Sequence, residues 1–189
     1  NIMKNNETNE ITITVIYDNY RYRKDLEPGW GFSCLVDFND TRILFDTGAD
    51  GDLLLENMQK LKIDPGSIDF IFLSHEDFDH VGGVSSILSM NSNVTVYVPR
   101  SFSAAFISEM REAGANVQAI HEFTELQKNL FSTGELGTSQ VEQAMVLRTK
   151  NGLVIITGCA HPGIVHIVQR SKEELNEKVL LVMGGFHLM

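Results

Sequence analysis

The chain predicts a mixed α/β (α+β) domain in which hairpins and helices interleave, with the helices outside a mixed sheet arrangement. Three observations carry that expectation. Apolar, β-branched runs of strand length recur along all 189 residues. Two junctions between such runs, Asn39-Asp40 and Asn151-Gly152, have the residue chemistry of tight hairpin turns. Other runs are separated by stretches of helical period bounded by Pro, Gly or capping residues. Strict βα alternation, which would wind a single parallel sheet, is not the pattern.

Taken in order, residues 11–17 alternate as a first strand. Runs 32–38 and 41–45 pair about Asn39-Asp40. Residues 50–61 place Leu53, Leu54, Met58 and Leu61 on one helical face, with Asp50 as a candidate N-cap. Pro65-Gly66 turns the chain into a strand over 68–73, and the next helix is expected to open after His80, at Gly82-Gly83, and run to Met90. A strand over 94–98 ends at Pro99. Ser101 is expected to cap a helix that runs through Ala113 and stops at Gly114, and 117–120 is a short strand. From 123 to 140 the pattern loosens into weak β pieces around Gly134 and Gly137. Strands 144–149 and 153–157 form the second hairpin. One helix is expected from 163 to 170 and another from Ser171, where Ser171-Lys172-Glu173-Glu174 resembles a capping box. The last strand is 179–183. Residues 1–10 are expected to be disordered or extended, ahead of one domain over 11–189.

Hydrophobic content of 43% and charged content of 21% are those of a soluble globular domain large enough to bury its own core. A formal net charge of −10 argues against non-specific binding to nucleic acid or anionic membranes. It leaves open a phosphorylated small molecule, because a bound metal can reverse the field within a pocket. No apolar run approaches the length of a membrane span, and residues 1–7 hold no apolar signal core, so a cytoplasmic protein is expected. The two cysteines, Cys34 and Cys159, lie far apart in strand-like contexts and are expected to be reduced thiols. The sequence carries no signal of oligomeric state.

The chemistry concentrates at strand ends. His75-Glu76-Asp77-Phe78-Asp79-His80 follows the apolar run 68–73 and precedes Gly82-Gly83. It packs four candidate ligands, His75, Asp77, Asp79 and His80, into six residues. Imidazole nitrogen and carboxylate oxygen suit zinc, iron or manganese. Four donors on one short loop cannot converge on one tetrahedral ion, whereas Asp79 and His80 can point to opposite sides, so two ions are expected. A solvated acidic turn with incidental histidines is the competing reading. Two further His-bearing, Gly-flanked strand ends weigh against it, and a third strand end carries a carboxylate. Ile43-Leu44-Phe45-Asp46-Thr47-Gly48 delivers a carboxylate that either binds metal, orients a ligand or caps a turn. Gly158-Cys159-Ala160-His161-Pro162-Gly163 delivers a ligand candidate, His161, beside Cys159, which is either a thiolate ligand or, the preferred reading, a small apolar residue at a tight spot. Gly184-Gly185-Phe186-His187-Leu188 repeats the same grammar with His187. His121 and His166 are expected to lie on the surface or to pack without binding metal.

These residues together resemble a family. His75-Glu76-Asp77-Phe78-Asp79-His80 is similar to the His-x-His-x-Asp-His motif of the metallo-β-lactamase superfamily, with Asp77 where most members carry the second His. Phe45-Asp46-Thr47-Gly48 matches that superfamily's N-terminal Asp motif. The segments at Gly158–Gly163 and Gly184–Leu188 resemble a narrower subgroup, the dihydropterin–ribofuranosylaminobenzene phosphate synthases and related metal-dependent hydrolases. The resemblance implies an αββα four-layer sandwich with metals at one edge between the sheets. It implies His75, Asp77 and His161 around a first ion, and Asp79, His80 and His187 around a second. It also implies that relatives continue past the position of Met189 through a further helix and a His-bearing strand, so the C-terminal part of the sandwich is expected to be missing.

The expected cofactors are two divalent metal ions, zinc first, with iron or manganese favoured to the extent that Asp77 hardens its site. The expected reaction is hydrolysis of an ester, lactone or phosphoester by hydroxide generated at the dinuclear centre, with Asp79 as the catalytic residue that ligates and orients it. The alternative, which only the subgroup resemblance implies, is a synthase joining a dihydropterin to a ribofuranosylaminobenzene phosphate, and Asp77 admits a metal-binding domain without turnover. Residues 18–31, with Tyr20, Arg21, Tyr22, Arg23, Lys24 and Trp30, are expected to wall the substrate pocket.

Overall fold

Period-two alternation splits the apolar residues of each strand between two sheet faces, and the computed structural model, which describes residues 10–187, builds three cores from that split. The segment expected to be disordered or extended lies, apart from Glu10, outside the described residues, as do Leu188 and Met189.

The first sheet holds β1 (Ile11–Tyr17), β2 (Ser33–Phe38), β3 (Thr41–Phe45), β4 (Phe70–Phe72), β5 (Thr95–Pro99) and β6 (Asn116–Ile120), in that spatial order. Its first three strands are antiparallel, and β3 to β6 run parallel. The second sheet follows the order β11 (Val179–Gly184), β10 (Gly152–Thr157), β9 (Met145–Thr149), β8 (Leu130–Ser132), β7 (Thr124–Gln127). It is antiparallel except for the β10–β11 pair.

On β2 to β4, Val36, Ile43, Phe45, Phe70 and Phe72 face Met145, Leu147, Val154 and Ile156 of the other sheet, forming the middle layer. Phe45 and Phe72 stack there with centroids 5.4 Å apart. Each such fully buried side chain stabilises the fold by about 1.5–3 kcal/mol. The alternate residues Leu35, Leu44 and Ile71 pack outward against α1 (Gly51–Lys60), α3 (Val84–Met90) and α4 (Ala104–Glu112) through Leu54, Met58, Ile87 and Met110. On the far side Val146, Leu153 and Ile155 pack on Ile167 of α5 (Ile164–Leu175). The layers run helix, sheet, sheet, helix, which is the expected αββα sandwich. Among the described residues no helix is long and apolar enough to cross a membrane.

Local chemistry explains where the elements depart from expectation. The first hairpin turns on Asn39 and Asp40, both at positive φ (49° and 61°), as a type I′ turn demands. In the second, Thr149 pairs with Gly152, so Lys150 and Asn151 make the turn and Gly152, at φ +132°, already belongs to β10. A short helix, α2 (Phe78–Val81), begins inside the acidic His loop, ahead of the helix expected at Gly82-Gly83. Ser103, not Ser101, caps α4 by accepting from the Phe106 amide, while the Ser101 amide donates to Glu135. The two helices expected either side of Ser171 are one. The Ser171 hydroxyl donates back to the Ile167 carbonyl at 2.8 Å instead of capping, and the helix ends at Asn176 in the left-handed conformation.

Parallel pairing decides where function can sit. The C-terminal ends of β3 and β4 share one edge of the first sheet, and those of β10 and β11 share one edge of the second. The loops that follow these four strands meet at the same end of the sandwich, where the Gly185 amide donates to the Gly158 carbonyl and the Gln143 amide to the Ser74 carbonyl.

Candidate metal centre

Three of these loops deliver candidate metal donors, and the fourth, after β3, delivers Asp46. Asp46, directly after β3, is fully buried with φ +50°, and its backbone amide donates a hydrogen bond to the Phe72 carbonyl at 2.9 Å. Its Oδ1 accepts from the Ser74 amide at 2.7 Å, and its Oδ2 accepts from the Ser74 hydroxyl and from His80 Nδ1, each at 2.7 Å. Asp46 therefore organises ligands and stands behind them, one of the roles left open above.

Donor counting fixes the ring protons. Ser74 spends its only proton on Asp46, so its oxygen accepts from His75 Nδ1, 2.8 Å away, and His75 carries its proton there. His75 Nε2 is then a bare lone pair, buried and without a hydrogen-bond partner. Burial, reinforced by the neighbouring His80, holds the His75 pKa below its ordinary value, so the ring stays neutral. Burial also disfavours charge on His80, but the Asp46 carboxylate and Cys159 outweigh it and push that pKa up to about 11. His80 thus binds Asp46 through Nδ1–H and points Nε2 at Cys159 Sγ, 3.1 Å away.

The rings gather closely. The centroid of His75 lies 4.3 Å from that of His80 and 4.9 Å from that of His161, and His161 lies 5.6 Å from His187. Three sets of donors fall within 4.8 Å of one another: His75, Asp77 and His161; His75, His80 and Cys159; Cys159, His161 and His187. His75, Cys159 and His161 each belong to two of the three sets. Asp77 Oδ2 stands 3.4 Å from His75 Nε2 and accepts from Gln140 Nε2 at 2.7 Å. Asp79 belongs to no tight set; its Oδ2 is 3.7 Å from His80 Nε2. The orphaned nitrogen of His75, together with imidazole, carboxylate and thiol donors aimed at common points, fits divalent ions.

Glycines let these loops approach. A Cβ on Gly31, at φ +124°, would lie 1.9 Å from the Asp79 carbonyl oxygen. A Cβ on Gly158 would lie 2.3 Å from Ser74 Oγ and 3.0 Å from His75 Nδ1.

All six ligand candidates, His75, Asp77, Asp79, His80, His161 and His187, lie at this edge. His166 is exposed on α5, and His121 pairs with Glu135 away from the centre. Cys159, preferred above as a small apolar residue, has its sulfur facing His80 and joins two donor sets. Sequence reasoning also missed Ser74, Gln140 and Glu142. Glu142 is fully buried, and its carboxylate reaches the loop of His161. It sits between the loose stretch 123–140 and the strand at 144–149, and a lone Glu ahead of an apolar run gives no periodic signal.

A cavity of about 450 Å³ opens on the centre, lined by Asn19, Tyr20, Trp30, Asp79, His80, Cys159, Phe186 and His187 among others. Part of the 18–31 segment therefore walls it, as expected. Arg21, Tyr22 and Arg23 do not; they line a separate cavity of about 510 Å³ against β1, where Arg21 pairs with Glu27 and Arg23 with Asp25.

Comparison with known proteins agrees with this geometry. Residues 27–173 match the family described as the metallo-beta-lactamase superfamily. The chain is 30% identical to the 7,8-dihydropterin-6-methyl-4-(beta-D-ribofuranosyl)-aminobenzene-5'-phosphate synthase of Methanocaldococcus jannaschii, over all of this chain and 81% of that protein. A crystal structure of a metal-dependent hydrolase of the beta-lactamase superfamily superimposes with a TM-score of 0.76 at 32% identity, covering 95% of this chain and 78% of that one. A quorum-quenching N-acyl homoserine lactone lactonase shares the fold, with a TM-score of 0.62 at 17% identity over 94% of this chain and 92% of that one.

Proposed function

This chain belongs to the metallo-beta-lactamase superfamily, and from that premise we propose that it is a metal-dependent hydrolase of small esters, lactones or phosphoesters. The observation that carries the reading is the convergence of imidazole, carboxylate and thiol donors from three loops, braced by Asp46 on a fourth, beneath one open cavity. His75, Asp77 and His161 would hold one ion. His80 and Cys159 would hold the second, with Asp79 and His187 as its remaining donors. The thiol beside imidazole favours zinc at the second position, while the Asp77 carboxylate makes iron or manganese acceptable at the first. Bound divalent ions supply Lewis acidity and a nucleophile available at neutral pH.

The chain's own residues do the rest. Asp79 presents a carboxylate to the cavity, placed to orient an attacking water and to take its proton. Asp46 and Ser74 hold the rings of His75 and His80 in place, and metal at His80 Nε2 would displace the proton that its raised pKa keeps there. Tyr20 and Trp30 offer exposed aromatic surface at the cavity mouth for the apolar part of a substrate.

A second reading, a synthase joining a dihydropterin to a ribofuranosylaminobenzene phosphate, is supported by 30% identity across the whole chain to a protein of that name. One pair of assays separates the two. Metal-loaded protein is offered a panel of lactones, esters and phosphoesters, and separately the two synthase substrates. Water-consuming turnover on the panel supports the hydrolase, and condensation without net water consumption supports the synthase.

A further inference from the structure

We propose that Glu142 is the positioning residue of His161, gripping the ring at Nδ1 so that Nε2 is the atom presented to metal. The inference rests on the metal centre proposed above but not on the reaction assigned to it.

Glu142 is 1% exposed. A carboxylate buried to that degree is costly unless donors surround it. Its donors all come from one turn. Oε1 accepts from the Thr157 hydroxyl at 2.8 Å and from the Ala160 amide at 3.1 Å. Oε2 accepts from the His161 amide at 3.1 Å and stands 3.3 Å from His161 Nδ1. Ala160 sits at φ +59°, a conformation that non-glycine residues adopt only when the surroundings impose it. The amides that Glu142 binds belong to this residue and the next, so the carboxylate clamps the strained turn that carries the imidazole.

The two fully buried rings supply the pattern. Ser74 holds His75 at Nδ1 and Asp46 holds His80 at Nδ1. His161 Nδ1 is buried with no hydrogen bond, yet faces Glu142 Oε2. A small rotation of the ring closes that contact and completes a third copy of the arrangement. A carboxylate at the far nitrogen fixes the tautomer and raises the basicity of the nitrogen that binds metal.

The test begins with the unaltered chain, labelled with ¹⁵N-histidine and loaded with zinc. The His161 resonances, assigned by their loss in His161→Ala, are expected to show Nδ1 protonated and Nε2 bound. Metal on Nδ1 overturns the proposal. If the chain takes up no zinc, the metal centre itself fails, and the metal-free tautomer still decides on Glu142: Nδ1–H supports it and Nε2–H overturns it. Glu142→Gln keeps an acceptor for the turn but removes the charge. It is expected to weaken zinc binding by about 10–100-fold in chelator competition and to mix the His161 tautomers. A folded Gln variant that binds zinc within about twofold of the parent overturns the role, and if the variant does not fold, the spectrum of the parent decides.

Discussion

Asp46 Oδ2 lies 2.7 Å from His80 Nδ1, and both side chains are sealed from solvent, so a residue at the end of one strand fixes a ring delivered by another. The same oxygen takes the Ser74 proton, which in turn fixes His75. Two candidate ligands thus depend on one carboxylate that joins none of the donor sets.

Asp46→Asn follows from that dependence. The amide replaces an acceptor with a donor facing Ser74 or His80, leaving a buried polar group unsatisfied at a cost of about 1–3 kcal/mol. Urea unfolding is expected to register this loss, and chelator competition a drop in metal affinity of about 10–100-fold. Wild-type affinity in a folded variant would show that Asp46 merely caps the turn.

His75→Ala removes the ring with the orphaned nitrogen and is expected to abolish stoichiometric metal at the position shared with Asp77 and His161. Asp79→Ala is expected to leave that position filled while lowering turnover about 100-fold or more, as for a lost general base. His166→Ala, on an exposed helix face, is expected to change neither. Elemental analysis of the three variants side by side checks the set.

The two thiols are expected to react differently. Cys34 is fully buried in the middle layer, and burial pushes its thiol pKa well up, so it stays protonated and out of reach. Cys159 borders the cavity and faces His80. Mass spectrometry after treatment with iodoacetamide is expected to find Cys159 modified in chelator-treated protein, protected in metal-loaded protein, and Cys34 unmodified in both. Equal labelling of Cys159 with and without metal would remove it from the ligand set.

Gly31→Ala tests loop approach. With φ at +124° and the new Cβ 1.9 Å from the Asp79 carbonyl oxygen, backbone must move. The variant is expected to lose more than about 1 kcal/mol in denaturant unfolding. Loss of metal affinity should accompany it, because the displaced loop carries Asp79 and His80.

Much of this was legible in the sequence because its signals are local. The cluster from His75 to His80, Asp46 after an apolar strand, and His161 and His187 beside glycines are each strand ends readable one at a time, and the central strands are near-continuous apolar runs buried on both faces. What escaped depends on contacts across the chain. Glu142 lies 19 residues from His161 and in a stretch without period, and its role exists only once β9 and β10 pair. Cys159 looked like a small apolar residue until His80, 79 residues away, came to face its sulfur. Helix ends shifted for a related reason. Ser171 has the spacing of a cap, but its hydroxyl found the Ile167 carbonyl within a helix already held by packing.

The central claim, that donors from separate strand ends assemble a metal centre, is tested most directly by metal stoichiometry. The full chain is purified without chelator, reconstituted with zinc, iron or manganese, and analysed by elemental mass spectrometry beside His75→Ala. The account predicts tightly held metal approaching two ions per chain in the parent and a clear loss in the variant. Metal at background in the parent, or full content retained by His75→Ala, would contradict it.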